Sequence, residues 1–182
     1  MAQLVKMTLD DSRWRSMFRA MDSAWEPAAS SAMNKSIAKV RTQVIRETAS
    51  EAKVSPAKLI RRRLRTFKAT AKKLRAGLGI LVRPIPLIRL SGARQTRSGV
   101  SARGGHSHPS AFINTARSPG TGNKQVYRRL GKSRYPLEVL KVEVKEAAES
   151  ALAAKISAAR DHFVQILPRE VLWRARRQHG SR

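Results

Sequence analysis

The chain has 182 residues, 41% of them apolar and 5% aromatic, and it carries 38 Lys and Arg against 12 Asp and Glu for a net charge of +26. The apolar share is enough for a core and argues against wholesale disorder. The lack of cysteine excludes disulfides, thiolate metal sites and cysteine nucleophiles. Charge of this size calls for a polyanionic or acidic partner and says nothing direct about fold. No apolar run approaches the roughly 20 residues that span a bilayer, and residues 1–11 hold no apolar signal-peptide core. No membrane partner is therefore expected, and a reducing cytoplasm suits the synthesis of a chain without thiols.

In chain order, the first part reads as helical. Asp10, Asp11 and Ser12 are cap residues before a stripe of Trp14, Phe18, Met21 and Trp25 at steps of four, three and four. Pro27 is expected to restart or kink the chain. Ala29, Met33, Ile37, Val40 and Val44 form a second helical stripe reaching about residue 49. Ser55-Pro56 then predicts a short basic helix to about residue 64.

The middle changes character. Residues 66–74 fit no single element. Two short apolar runs, 78–82 and 85–88, cut by Pro84 and Pro86, predict strands at an edge or bend. Residues 91–110, rich in Gly, Ser and Arg, predict a long loop of functional use, or an arm ordered on assembly. Residues 111–113, 124–130 and 135–140 predict three further strands, with turn chemistry at 118–123. Finally Ala148, Leu152, Ile156, Ala159, Phe163 and Ile166 step as a long helix. Glu143, Glu146 and Glu149 suit its N-terminal dipole, Arg174, Arg176 and Arg177 its C-terminal one, and Pro168 predicts a kink.

These elements predict one α+β domain over residues 1–182: N-terminal helices (1–64), a basic part with a small, mostly antiparallel sheet and a loop (65–140), and a long C-terminal helix (141–182). A core short of aromatics is thin, which favours an oligomer.

Chemistry follows from where the charges lie. No Asp or Glu stands between residues 52 and 137, a stretch holding 21 Lys and Arg. Carboxylate catalysis is thus poorly supplied, and an enzyme such as a nuclease, which needs a carboxylate cluster, is disfavoured. His106 and His108, flanking Ser107, have no carboxylate or cysteine nearby in sequence and read as solvated loop residues rather than metal ligands. His162, beside the last helix stripe, reads as a packed or surface residue. Gly77 and Gly79 make no phosphate loop. Trp14 and Trp25 read as core before interface. No catalytic, metal-binding or cofactor-binding residue is assigned, and no cofactor.

The basic run is the positive signal. Lys58, Arg61, Arg62, Arg63, Arg65, Lys68, Lys72, Lys73 and Arg75 fall within 18 residues, with Phe67 the single aromatic among them. Such a run neutralises phosphates or docks on acidic protein. Contacts to nucleic acid would be backbone-directed and non-specific. The expected contact residues are Arg61, Arg62, Arg63, Arg65, Lys68, Lys72 and Lys73, joined by Arg94, Arg97 and Arg103 from the 91–110 stretch.

Four stretches in order carry a family resemblance. They are Ala32-Met33-Asn34-Lys35-Ser36 with the helix to Arg46-Glu47-Thr48; Lys53-Val54-Ser55 and Lys58-Leu59-Ile60-Arg61 leading to Phe67-Lys68-Ala69-Thr70; Pro109-Ser110-Ala111-Phe112-Ile113; and Arg134-Tyr135-Pro136-Leu137-Glu138-Val139-Leu140-Lys141-Val142. Together they cover roughly residues 28–145. In this the chain resembles the phage minor tail protein Z family, the tail completion proteins of lambda-like long-tailed phages.

The resemblance implies a non-enzymatic virion protein, made in the host cytoplasm, that completes the tail at its head-proximal end and enables head–tail joining. It implies tail or neck proteins as partners (tail terminator, tail tube, head–tail connector) and a homo-oligomeric ring, by default a hexamer. The charge adds non-specific contact with genomic DNA in the conduit. The alternative reading from charge alone is a non-specific nucleic-acid-binding basic protein.

Overall fold

The structure, a computed structural model, describes residues 2–8, 22–114 and 124–179. The stripe of Trp14, Phe18 and Met21, with its caps, and the turn expected at 118–123 lie outside the described residues. The elements are β1 (Ala2–Thr8), α1 (Asp22–Glu51), α2 (Lys58–Arg61), β2 (Leu64–Phe67), β3 (Arg75–Leu81), β4 (Ile85–Pro86) and a 3-10 turn (Leu87–Arg89). They continue with β5 (Arg94–Gln95), β6 (Gly99–Ala102), β7 (His106–Pro109), β8 (Ala111–Asn114), β9 (Gln125–Arg129), β10 (Leu137–Val139), β11 (Lys141–Val142) and α3 (Lys145–His179). The class is α+β, with antiparallel sheets and a long C-terminal helix, as expected.

The chain divides into two compact units. One comprises Met1–Val44, Leu64–Leu81 and Glu149–Arg182; the other comprises Ile45–Arg63 and Val82–Ala148.

In the first unit, α1 and α3 pack through small and aliphatic residues. Trp25, Ala28, Ala29, Ala32, Met33 and Ile37 from α1 meet Phe163, Leu167 and Val171 from α3, with Ala69 and Ala76 closing the cluster. Three alanines at one contact let two helix backbones approach closely, which offsets the shortage of aromatics. Val40 and Val44 are also buried, so the whole stripe predicted for α1 faces inward. On α3 the buried row after Phe163 runs to Leu167 and Val171, and Ile166 is only partly buried. The row continues by a step of four to Leu167, where the predicted stripe took a step of three to Ile166.

Neither proline ends a helix. Pro27 sits inside α1 and Pro168 inside α3. The restart expected at Pro27 is therefore corrected: the ring costs one backbone hydrogen bond, but its fixed φ is helical, and Ser30 Oγ donates to the Pro27 carbonyl (3.0 Å).

Against this helix pair stands a three-stranded antiparallel sheet in the order β1-β3-β2. Ala76, Leu78 and Ile80 of β3 and Leu64 of β2 are buried. Residues 64–67 were expected to end a helix or fit no element; they form an edge strand paired with β3 from Leu64↔Ile80 to Phe67↔Gly77. Asn34 of α1 secures the loop that follows. Its Nδ2 donates to the Ala69 carbonyl (3.0 Å) and its Oδ1 accepts from the Ala69 N–H (2.8 Å), so one amide side chain replaces a strand neighbour.

The second unit holds the C-terminal end of α1. Lys53 N–H donates to Ser50 O (3.1 Å) and Val54 N–H to Ala49 O (2.8 Å), with Lys53 at φ +51°. This is a Schellman end with lysine where glycine is usual, and the apolar pair Ala49 and Val54 is buried beneath it. The helix after Ser55-Pro56 is a single turn, shorter than expected.

Residues 91–110 form no long loop. They make a three-stranded sheet, β5-β6-β7, and three ties hold it. Ser91 N–H donates to Ser55 O (2.7 Å), and Arg103 N–H to Ser91 O (2.9 Å). Gln95 Nε2 reaches Gly99 O (3.0 Å) and Ala111 O (3.3 Å), while Gln95 Oε1 accepts from Ile113 N–H (2.9 Å). Composition pointed to a loop; these backbone partners, invisible in composition, make strands of it. Residues 87–88 turn as a 3-10 helix instead of continuing the predicted strand, and Leu87 N–H donates to Leu140 O (3.0 Å). The sheet β10-β9-β8 and the pair β11-β4 complete the unit. Its buried residues include Ile60, Ile85, Leu87, Val100, Val126 and Val144.

Two expectations follow. Replacing Asn34 by Ala removes two hydrogen bonds to part-buried backbone and should lower stability by about 2 kcal/mol in urea unfolding. Asn34→Asp should lose stability too, because a carboxylate accepts from Ala69 N–H and cannot donate to its carbonyl. Gly104 has φ +92°, and a Cβ there would lie 2.1 Å from the Lys53 carbonyl oxygen. Gly105, at φ +77°, faces open space. Gly105→Ala should cost only the left-handed strain, about 1–2 kcal/mol, and Gly104→Ala distinctly more, read as the drop in melting temperature by circular dichroism.

Candidate functional site

The ten basic residues singled out by the sequence fall into two groups. Arg65, Lys68, Lys72 and Lys73 belong to the first unit; Arg61, Arg62, Arg63, Arg94, Arg97 and Arg103 belong to the second. The run that looked continuous in sequence is thus carried by a helical turn, an edge strand and a loop.

In the first unit the basic loop between β2 and β3 is tightly built. Thr70 and Lys73 exchange backbone hydrogen bonds (both 3.0 Å), and Thr70 Oγ1 also accepts from Lys73 N–H (3.2 Å). Asn34 holds the loop at Ala69, just before this turn. Arg65, Lys68, Lys72 and Lys73 are all exposed. Lys68 and Lys73 line a cavity of about 540 Å³ together with Thr66, Phe67, Arg75, Ala76 and Gly77. Phe67, opposite Gly77 across the strands, is 52% exposed. The site is therefore an apolar hollow rimmed by three cations. It suits an anionic group attached to something apolar better than it suits a bare phosphate ridge. Sequence reasoning named Lys68 and Lys73 but missed the hollow. The pairing of Phe67 with a glycine, legible only once the strands are aligned, creates it.

In the second unit Arg61 and Arg62 are exposed on the turn α2. Arg63 is spent within the fold: its Nη1 donates to Arg83 O (2.6 Å) and its Nη2 to Pro84 O (3.4 Å). Burial, and then the charge of Arg89, lower its pKa. Arg94, Arg97 and Arg103 are exposed on the β5-β6-β7 sheet and its turns. Their backbones are fixed by the ties to Ser55, Ser91 and Gln95 described above.

The histidines take structural partners. His106 Nε2 lies 3.1 Å from the Lys53 carbonyl, so that nitrogen must carry the proton. His108 has its pKa lowered by burial and by the neighbouring His106 and Arg128. His162 Nδ1 meets Ser36 Oγ (3.1 Å), and Ser36 also donates to Ala32 O (2.9 Å). Ser36 is wholly buried, so this pair offers a substrate no accessible nucleophile. Among the described residues no three His, Cys, Asp or Glu side chains gather where they could hold a metal ion. Among them, too, no helix is long and apolar enough to cross a membrane.

The most organised charge cluster was not foreseen. Glu170 on α3, 9% exposed, accepts from Lys35 Nζ, from Ser31 Oγ (3.0 Å) and from Arg174 Nη1 (2.9 Å). These groups line a second cavity of about 310 Å³ with Arg169 and Trp173. Burial by itself raises the Glu170 carboxyl, but the hydrogen bonds from Lys35, Arg174 and Ser31 and the charge of Lys35 outweigh it and hold the group at about 2.

Compared with known families, the chain matches prophage minor tail protein Z over residues 18–177 and belongs to that family. No curated protein and no solved structure matches it.

Because the Glu170 carboxyl ionises near 4.5 when unperturbed and near 2 here, the unfolded chain takes up its proton first as pH falls. The contribution of this cluster is complete above about pH 5 and disappears as pH drops through the folded value. The stability gap between the natural protein and Glu170→Gln, measured in urea, should be constant above about pH 5 and close progressively on acidification toward pH 2. A gap that widens on acidification would contradict the assignment.

Proposed function

We propose that this tail protein completes the phage tail at its head-proximal end and makes the tail competent to join the head, by assembly of complementary surfaces and not by catalysis. Membership of the minor tail protein Z family across residues 18–177 carries the reading. The exposed cations on the β2–β3 loop and on the β5-β6-β7 sheet, whose backbones are tied by hydrogen bonds, support it. Charge of this kind sets register and speeds encounter between subunits more than it adds affinity.

On this reading residues 1–182 act as one tail-completion domain, and the partners are the tail terminator, tail tube and head–tail connector. The working assembly is a ring of copies, by default six. Arg61, Arg62, Arg65, Lys68, Lys72, Lys73, Arg94, Arg97 and Arg103 meet acidic neighbours or, non-specifically, the phosphates of DNA in the conduit. Arg63 supports its neighbours from within the fold.

A second reading, a free-standing nucleic-acid-binding protein, draws on the net charge of +26. The apolar hollow at Phe67 disfavours it as the main role, since a duplex offers no apolar group to fill one.

Electron microscopy of lysates tests the proposal. Without this protein, tails of normal length and filled heads should accumulate unjoined, and the natural chain should restore joining. The triple variant Lys68→Glu, Lys72→Glu and Lys73→Glu, at exposed positions, should fold yet lower the yield of joined particles about tenfold or more, because like charges across an interface are strongly unfavourable. Joined particles at the normal yield in the absence of the protein, or tails that never polymerise, would overturn it.

A further inference from the structure

The outward face of α3 presents apolar groups that stand exposed among the described residues. Val164, Pro168 and Leu172 recur every four residues, which aligns them along one side of the helix. Val164 is 50% exposed, Leu172 53%, and Trp173, one residue further round, 51%. The buried face of the same helix is already complete with Phe163, Leu167 and Val171. An ordinary solvent face of a long helix is polar, and a stripe of large exposed apolar residues marks a surface kept for something else.

The charges beside the stripe indicate what that is. Arg169, Arg176 and Arg177 are exposed on this stretch of helix. Trp173 lies beneath two guanidiniums, Arg177 at 4.8 Å and Arg174 at 5.4 Å from its ring. The carboxylate that shares the hollow with the tryptophan, Glu170, is satisfied within the fold by Lys35, Ser31 and Arg174, so it cannot serve an incoming cation. The 310 Å³ hollow next to Trp173 is likewise lined by three cations and that single engaged carboxylate. Trp and Arg together, in a partly desolvated setting, are the residues that most often dominate binding energy at protein interfaces.

We propose that residues 164–177 of α3 are a docking surface for an acidic amphipathic helix of another protein. The apolar seam of that helix covers Val164, Pro168 and Leu172, and its flank lies over Trp173, where its carboxylates meet Arg169, Arg176 and Arg177. Thirteen helical steps make the surface from 164 to 177 about 20 Å long, the length of a partner segment of about four turns. A second copy of this chain is a poor occupant, since its own excess charge repeats the repulsion. Duplex nucleic acid is poorer still, because phosphate ridges leave the stripe uncovered. The proposal is independent of the role in head–tail joining and stands or falls on binding alone.

The test uses the full-length protein and a fluorescein-labelled synthetic peptide of four helical turns, with leucines on one seam and glutamates along both flanks. Its counterpart has the same composition in scrambled order. At physiological salt the ordered peptide should bind by fluorescence anisotropy, and the scrambled one about tenfold more weakly or worse. Leu172→Glu and Trp173→Ala should each weaken the ordered peptide by a similar factor. Because both positions are exposed, helicity and melting temperature should stay unchanged, which separates lost docking from lost folding.

Four results would overturn the proposal. No binding of the ordered peptide removes it outright. Equal binding of the scrambled peptide reduces the surface to bare charge. A duplex oligonucleotide that binds the natural protein and is lost with the same two variants makes it a nucleic-acid surface. Self-association in sedimentation, abolished by Leu172→Glu, assigns it to a second copy.

Discussion

Thirty-eight cations share this chain with twelve carboxylates, so most of them cannot be paired at home. The tertiary ties within each unit therefore rely heavily on neutral donors and acceptors. Asn34 grips both backbone groups of Ala69, and Gln95 spans from Gly99 to Ile113. Arg63 is absorbed by carbonyls of Arg83 and Pro84 instead of a carboxylate. Hydrogen bonds of this kind contribute modestly when made and cost more when broken, because the buried partner is left unsatisfied. They are also insensitive to salt, unlike a surface ion pair such as Arg128 with Glu138. Among the described residues, one acid of the first unit, Glu170, is drawn into the interior, and it is held by three donors at once. A basic chain can bury a carboxylate at little risk; it has no shortage of counter-charges.

The same constraint separates structure from function. Residues that knit the fold, Asn34, Gln95, Ser36 and Thr70, are uncharged. The charged residues left at the surface are mostly cationic, and their mutual repulsion is relieved by something acidic from outside. Stability and docking are thereby coupled: an acidic neighbour that binds the folded chain adds to its stability by mass action. For a protein of the virion this favours the assembled state without any change of shape.

Much of the architecture was legible in the sequence, and the failures are instructive. The stripes from Ala29 to Val44 and from Ala148 to Phe163 were visible because long helices repeat their burial every 3.6 residues. Residues 64–67 were not, because only Leu64 of that strand is buried, and one buried residue has no period. Pro27 looked like a restart or kink and Pro168 like a kink since a proline's cost is visible locally, whereas the packing that outweighs it, Trp25 and Ala28 around one and Leu167 and Val171 around the other, is tertiary. The 91–110 stretch looked like a loop because glycine, serine and arginine say nothing of the carbonyls at Ser55 and Ala111 that order it. Among the candidate site residues, exposure was guessed well for Lys68 and Lys73 but not for Arg63. Phe67's hollow and the Glu170 cluster join residues 10 to 139 positions apart and had no signature along the chain. Two of the stretches that carry the family resemblance, around Asn34 and Ala69, are held together by one clamp.

That clamp also changes how docking should be understood. Had the basic residues stood on mobile arms, each would have lost conformational freedom on binding, roughly 0.5–1.5 kcal/mol for every long side chain immobilised and more for the backbone. Here the backbone part of that cost is met during folding. Asn34 and the Thr70–Lys73 turn set the lysine loop, and Ser55, Ser91 and Gln95 set the arginine sheet. What remains to be ordered on contact is the side chains alone. A surface prepared in this way can bind selectively through modest charge complementarity, because the backbone that carries the cations does not shift to meet a misplaced partner.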